Sequence, residues 1–242
     1  MELKGKNILI TGASKGMGNS IGKRLSKDGA NLILVARNEE GLKTLVGSLR
    51  EGQHKYYVCD LSKLDEVADL IKKISADFEK IDVLINGAGI GVYKPIEEVA
   101  FAEWRESFAV GLDAVYFLTQ KLLPLLNKSE KAMVINIGSG MGVIPAAGRS
   151  VYCSLKFALR GMTLSLAEEF KRTKIRFVLL TLGSVLTGFG PKTLEEKKNE
   201  GKAYLTPEWV ADRVLEIIKE GGRETEYTFY PSDYKEEWEA VK

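Results

Sequence analysis

With 242 residues, 45% of them hydrophobic, the chain can bury a full core and fits one α/β domain. Its 35 Lys and Arg against 33 Asp and Glu leave a formal charge of +2, which excludes the charge bias of a nucleic-acid or membrane-surface binder. Two cysteines, Cys59 and Cys153, and the single His54 form neither a disulfide scaffold nor a metal-ligand spacing, so no metal site is expected.

The chain begins MELKGKNILI, entering a strand-like run without a basic leader, and no stretch approaches 18 apolar residues; the expected location is cytoplasmic. In chain order, apolar runs at 7–11, 32–36, 56–59, 82–86, 133–137 and 176–181 alternate with helical periodicity at 17–28, 39–50, 62–79, 101–127, 150–172 and 207–220. Several runs are apolar at consecutive positions, the pattern of strands covered on both faces by crossover helices. The expected architecture is α/β: a doubly wound parallel sheet of the Rossmann type, a three-layer αβα sandwich, in a single domain over 1–242. The segment 188–204, GFGPKTLEEKKNEGKAY, is polar, glycine-flanked and placed just after a strand end where such folds bind ligands, and it reads as a mobile substrate lid.

Between the first strand and first helix stand Thr11, Gly12, Ala13, Ser14, Lys15, Gly16, Met17 and Gly18. Three glycines there serve a tight turn, close backbone approach to a pyrophosphate, and helix–strand packing, with the helix N-terminus facing the anion. The second strand ends Val35-Ala36-Arg37, without the acid that accepts hydrogen bonds from a free ribose 2′-hydroxyl. Arg37 can instead pair bidentately with a 2′-phosphate, and Lys15 adds a second positive charge, so the expected cofactor is NADP(H) over NAD(H).

Farther along, Ser139 precedes Tyr152 by thirteen residues, and Lys156 follows Tyr152 by four. The i, i+4 spacing puts phenol and ammonium on one helix face. There the positive charge favours the phenolate and lowers the tyrosine pKa. A hydroxyl from the preceding strand end could meet the same substrate oxygen, so that Ser139 holds the substrate while Tyr152 moves the proton.

With T-G-x-x-x-G-x-G at 11–18 and Ser139, Tyr152 and Lys156 in order, the chain resembles the short-chain dehydrogenase/reductase family, in its main single-domain branch of about 250 residues. The resemblance continues through Asp60 and Leu61 in CDL, Asn86-Gly87-Ala88-Gly89, and Leu182-Gly183-Ser184-Val185-Leu186-Thr187. It implies adenine contact at Asp60 and Leu61, further cofactor contacts at Asn86, Ala88 and Gly89, and a hold on the nicotinamide amide by Val185 and Thr187. It also implies hydride transfer between nicotinamide C4 and the carbon of a ketone, aldehyde or 3-oxoacyl substrate. Tyr152 would be the general acid or base, Ser139 would orient the oxygen, and Lys156 would lower the tyrosine pKa and bind the ribose.

Gly111 departs from the pattern, since the family carries an asparagine there to hold a water of the proton relay. One reading is a local kink whose backbone carbonyl takes over, the other an impaired relay; a catalytically impaired NADP(H)-binding regulator or scaffold is therefore the alternative function. Gly87, Gly138 and Leu182 are further departures. The ending TEYTFYPSDYKEEWEAVK lacks the signature of the 3-oxoacyl reductases. The resemblance implies a homodimer or homotetramer through helices 101–127 and 150–172, acting on a small molecule and not on nucleic acid or membrane. Trp104, Phe108, Val115 and Leu118 read as core or interface, and Tyr93 as either pocket lining or surface.

Overall fold

A computed structural model describes residues 1–234. Seven strands form one sheet: β1 (Asn7–Thr11), β2 (Asn31–Ala36), β3 (Lys55–Val58), β4 (Val83–Asn86), β5 (Ala132–Ile137), β6 (Ile175–Leu182) and β7 (Glu226–Phe229). All neighbours are parallel and the order is β3-β2-β1-β4-β5-β6-β7. The chain walks outward from β1 to β3, returns to β4 beside β1, and walks out the other way. That reversal opens a crevice beyond the carboxyl ends of β1 and β4.

Consecutive apolar residues supply two cores through the pleat. Ile8 and Ile10 enter the cluster on one face with Leu32, Leu34 and Val83, while Leu9, Ile33, Val35 and Leu84 enter the other. The first face is covered by α1 (Gly16–Lys27), through Ile21 and Leu25, by α2 (Glu39–Gly47), through Leu42 and Leu45, and by α8 (Pro207–Glu220), through Val210, Val214 and Ile218. The second face receives Val67, Leu70 and Ile74 of α3 (Leu64–Asp77) and Leu118, Leu122 and Leu126 of α5 (Ala114–Leu126). Each fully covered aliphatic side chain contributes roughly 1.5–3 kcal/mol. Local signals fix the ends of α8: Thr206 accepts from Trp209 N–H, Pro207 starts the helix, and Gly221 takes a left-handed φ of 84° to end it.

Two features differ from the sequence reading. The helix expected over 101–127 is α4 (Phe101–Phe108) and α5 joined by a π turn at Ala109–Asp113. An added Cβ on Gly111, inside that turn, would lie 2.6 Å from Leu155 Cδ2. The glycine thus lets the widened turn lie against α6 (Ser150–Phe170). The second is β7, a four-residue edge strand in which Thr228 is exposed and the other three are half-buried. Its polar–apolar alternation is too short to stand out, and Glu226 and Thr228 keep it from forming an apolar run like those of the central strands. Glu226 accepts a bidentate pair from Arg160 and a hydrogen bond from Thr181, tying α6 and β6 to this edge. The final stretch 235–242, part of the ending weighed above, lies outside the described residues.

The 26-residue helical run from Phe101 to Leu126 is long and apolar enough to cross a membrane by length and composition. Half of its most apolar window is buried against the rest of the chain, which accounts for that composition.

Candidate active site

A cleft of about 1450 Å³ runs along the carboxyl ends of the strands. Its floor at β1 depends on two glycines. Gly12 has a φ of +72°, which side-chain-bearing residues rarely adopt, and a Cβ there would come within 2.9 Å of the Ala88 backbone. A Cβ on Gly18 would lie 2.4 Å from the Gly12 carbonyl oxygen. Thr11 Oγ1 accepts from the N–H groups of Gly87 (3.1 Å) and Ala88 (3.2 Å), which locks the β1 loop to the turn after β4. At the start of α1, Lys15 stands at the N-cap without a capping bond, and no acid occupies the first turn. A helix start of this kind suits a phosphate.

Gly12, Ser14, Lys15, Gly16, Met17 and Gly18 all line this end of the cleft, with Arg37, Asp60, Leu61, Ala88 and Gly89 beside them. Arg37 is exposed and reaches Glu106 at 3.5 Å, a surface pair worth at most about 1 kcal/mol. Burial pushes the Asp60 carboxyl up, but hydrogen bonds from the Ser62 N–H and hydroxyl, with the Arg37 charge, outweigh it and leave the pKa below the ordinary value. This donor set, with cations at one end and an anion-ready helix start, fits a phosphate-bearing dinucleotide. Val185 and Thr187 line the same cleft beyond β6.

Asn86, expected at the cofactor, is placed elsewhere. It is buried, and its amide donates to Asn136 Oδ1 (2.8 Å) and Thr119 Oγ1 (3.5 Å), while Asn136 donates to Thr163 Oγ1 (2.9 Å). That chain of side chains binds β4, β5, α5 and α6 beneath the cleft. The side chain is engaged in holding the floor, and the residue acts on the cleft through the backbone that follows it.

The three reactive side chains converge on one wall. Ser139 leaves β5 in extended conformation and accepts from Met141 N–H (3.2 Å) at a short 3-10 turn, Gly140–Gly142. A Cβ on Gly142 would meet the Lys156 carbonyl oxygen at 2.8 Å, so the turn lies directly on α6. On α6, Tyr152 and Lys156 are each 8% exposed, and both line the cleft with Ser139. Lys156 Nζ stands 5.7 Å from the Tyr152 ring centre and donates to the Ile137 carbonyl at 2.8 Å.

The electrostatics differ from the expectation that Lys156 lowers the Tyr152 pKa. Burial raises the phenol above its ordinary value, and the groups that pull it back are the hydroxyls of Ser139 and Tyr93 and the Arg149 charge. Burial also brings the Lys156 ammonium down to about 8, and its proton is directed at Ile137. Desolvation, which no residue spacing reveals, overrides the neighbouring charge.

Three neighbours complete this wall: Tyr93, which the sequence left between pocket lining and surface, Phe189 of the 188–204 segment, and Arg149, which the sequence did not single out. Tyr93 packs against Tyr152 with ring centres 5.3 Å apart. Phe189 meets Tyr93 edge-on at 6.4 Å and Tyr152 at 5.9 Å, and the Arg149 guanidinium lies over the Tyr93 ring at 4.8 Å. The available signal was the position of Arg149 three residues before Tyr152, which puts both on one side of a helix start.

Phe189 belongs to the segment 188–204. Its two ends are joined, since Val185 pairs with Leu205 as an isolated bridge and Leu186 N–H donates to the Leu205 carbonyl at 2.8 Å. Within it, α7 (Leu194–Asn199) begins with a capping box in which Thr193 and Glu196 satisfy each other's backbone. Lys197 of α7 is 9% exposed and donates to the Thr187 (2.9 Å) and Phe189 (2.5 Å) carbonyls. That ammonium holds the segment down over the site.

Comparison with known proteins places this arrangement among relatives. Residues 6–198 match the family model described as short chain dehydrogenase. Nodulation protein G of Rhizobium sp. (strain N33) is 34% identical over 199 residues, 82% of this chain and 79% of that protein. The 3-oxoacyl-[acyl-carrier-protein] reductase of Haemophilus influenzae is 30% identical over 196 residues, covering 81% of each. Among solved structures, a metagenomic short-chain oxidoreductase in complex with NADP superimposes with a TM-score of 0.80 at 29% identity, covering 96% of this chain and 99% of that one.

Proposed function

The chain belongs to the short-chain dehydrogenase/reductase family, and from that premise we propose that it is an NADP(H)-dependent oxidoreductase reversibly reducing a ketone, an aldehyde or a 3-oxoacyl group to an alcohol. The observation that carries this reading is the convergence of Ser139, Tyr152 and Lys156 on one wall of a cleft whose far end is the Gly12–Gly18 loop. When bound, the nicotinamide supplies or accepts the hydride. Ser139 offers its hydroxyl to the substrate oxygen and Tyr152 delivers or removes the proton at that oxygen. A phenol held above its ordinary pKa stays protonated through neutral pH, which suits an acid in the reducing direction. Lys156 would bind the nicotinamide ribose, and it holds the strand end through its hydrogen bond to the Ile137 carbonyl.

The Gly12–Gly18 loop would hold the pyrophosphate, with Asp60 and Leu61 at the adenine, Ala88 and Gly89 along the ribose side, and Val185 and Thr187 at the carboxamide. Arg37 and Lys15 would take the 2′-phosphate. The absence of an acid at the end of β2 supports NADP(H) over NAD(H), as does an Arg37 that gives up only a loose partner in Glu106. The alternative of an impaired NADP(H)-binding regulator rested on Gly111; contact with Leu155 gives that glycine a packing reason, which favours the enzyme.

The test is NADPH oxidation by the purified protein across a panel of ketones, aldehydes and 3-oxoacyl thioesters. Tyr152→Phe should lower the rate on any active substrate by about 10²- to 10⁴-fold. A rate unmoved by that substitution would refute the mechanism, and NADPH binding without any turnover would favour the regulator. In a parallel titration, Arg37→Asp should weaken NADPH far more than NADH; equal losses would remove the 2′-phosphate assignment.

A further inference from the structure

We propose that Arg149 is the specificity residue of the cleft and holds the carboxylate of a substrate that carries its carbonyl on the same short carbon chain. This rests on the reductase reading and narrows it from carbonyl compounds at large to oxo acids.

Arg149 is the residue before α6, three positions ahead of Tyr152, and its side chain reaches into the cleft. The guanidinium lies across the face of Tyr93 at 4.8 Å, and the Tyr93 ring lies 5.3 Å from that of Tyr152. One aromatic ring therefore separates the positive charge from the phenol. The Tyr93 ring engages the guanidinium through its charge and leaves the N–H groups, which no described residue accepts from, free to donate.

The other cations at this end already have partners. Lys156 donates to Ile137, Lys197 donates to Thr187 and Phe189, and Lys192 and Lys202 both pair with Glu200. Among the described residues, no carboxylate or carbonyl accepts from the Arg149 side chain. A partly covered guanidinium with unused donors, facing a ligand cleft, is short of one anion.

That anion is a carboxylate on chemical grounds. A planar fork of N–H donors matches two carboxylate oxygens, and one unpaired positive charge balances one negative charge. The Tyr93 ring shields the guanidinium from water on the side it covers, which strengthens charge-assisted hydrogen bonds there. A neutral ester of the same length leaves those donors covered and unpaired, so the site discriminates against it. The Arg149 charge also pulls on the Tyr152 phenol, which independently places it within electrostatic reach of the reacting oxygen.

The experiment compares kcat/KM for 3-oxobutanoate and 4-oxopentanoate with that for their methyl esters, in the wild type, Arg149→Gln and Arg149→Lys. Calorimetry measures, alongside, the binding of butanoate, which cannot be reduced, with and without NADPH. The wild type should favour acid over ester by roughly 10- to 100-fold. Arg149→Gln should abolish that ratio and weaken butanoate by at least about tenfold, and Arg149→Lys should restore part of both. Esters reduced at an acid-to-ester ratio that Arg149→Gln does not move would overturn the anion seat and leave the reductase standing. Butanoate binding that depends on Arg149, with no carbonyl reduced, would keep the seat and remove the reductase. A wild type that binds no butanoate would overturn the seat outright.

Discussion

Lys156 shows how burial alters a residue whose type and spacing looked decisive. Its ammonium has a pKa near 8 in the fold against 10.5 in open chain, so between these values the unfolded chain binds more protons than the folded one. Stability must then rise with pH through that window, while below pH 8 the full penalty of a buried charge persists, on the order of 3 kcal/mol. The Cys59 thiol works in the opposite direction. Burial pushes it to about 11 from 9.0, so it weakens the fold as pH rises above 9. Chemical denaturation of the cofactor-free protein from pH 7 to 9 should therefore show stability climbing by up to about 1 kcal/mol per pH unit above pH 8. Lys156→Met should flatten that climb and be at least as stable at pH 7 despite losing the bond to Ile137. A wild type and a variant with the same slope would show that the ammonium carries no such penalty. The sequence named Tyr152 and Lys156 correctly as neighbours, but the direction of their pKa shifts depends on solvent exclusion, which a spacing of four residues does not encode. The same limit applies to Asn86, whose motif position pointed to the cofactor while Asn136, fifty residues away, accepts its amide proton.

Among the elements, those with strong local signals were legible and those defined by packing were not. Each of β1, β2, β4, β5 and β6 contains at least three consecutive apolar residues, and the alternation with amphipathic helices pointed to the doubly wound order. The edge strand β7 escaped because Glu226 and Thr228 break its apolar run. The π turn at Ala109–Asp113 escaped because helical periodicity cannot register one extra residue, although Gly111 signalled that something there was constrained. Its physical reason is now specific: a Cβ at 111 would overlap Leu155 Cδ2 at 2.6 Å, and Leu155 is fully buried. Gly111→Ala should therefore destabilise the chain by about 1–3 kcal/mol, even though alanine favours an ordinary helix. Leu155→Ala should cost about 2–5 kcal/mol alone. Because the first change adds the methyl that the second makes room for, the double variant should cost at least about 1 kcal/mol less than the sum. Additive losses in denaturant titrations would mean that the π turn, and not the contact with α6, requires the glycine.

Over the whole molecule, most of the cleft was recoverable from the sequence because a doubly wound sheet brings every strand's carboxyl end to one edge. The glycine loop, Arg37, Asp60, Ala88, Ser139, Tyr152, Lys156 and Thr187 come from seven different stretches, yet all line one cavity. What topology does not deliver is the outer surface. Trp104, Tyr116, Phe117 and Phe157 are 38–46% exposed, and they stand on α4, α5 and α6, three helices packed along one side of the sheet. Trp104 stacks on Phe108 at 4.5 Å, and Tyr116 meets Phe117 edge-on at 5.5 Å. Exposed aromatic side chains have few rotatable bonds to order on association, and aromatic residues are enriched where subunits meet. These helices should pair with the same helices of a second copy, giving the even-numbered assembly expected of a two-fold contact. Sedimentation equilibrium should return a dimer or tetramer, and Phe117→Lys combined with Phe157→Glu should shift it to the monomer while the cofactor cleft, formed on the strand ends, still binds NADPH. A wild type that sediments as a monomer at tens of micromolar would refute the pairing. A doubly substituted chain that keeps its assembly would move the contact to another face.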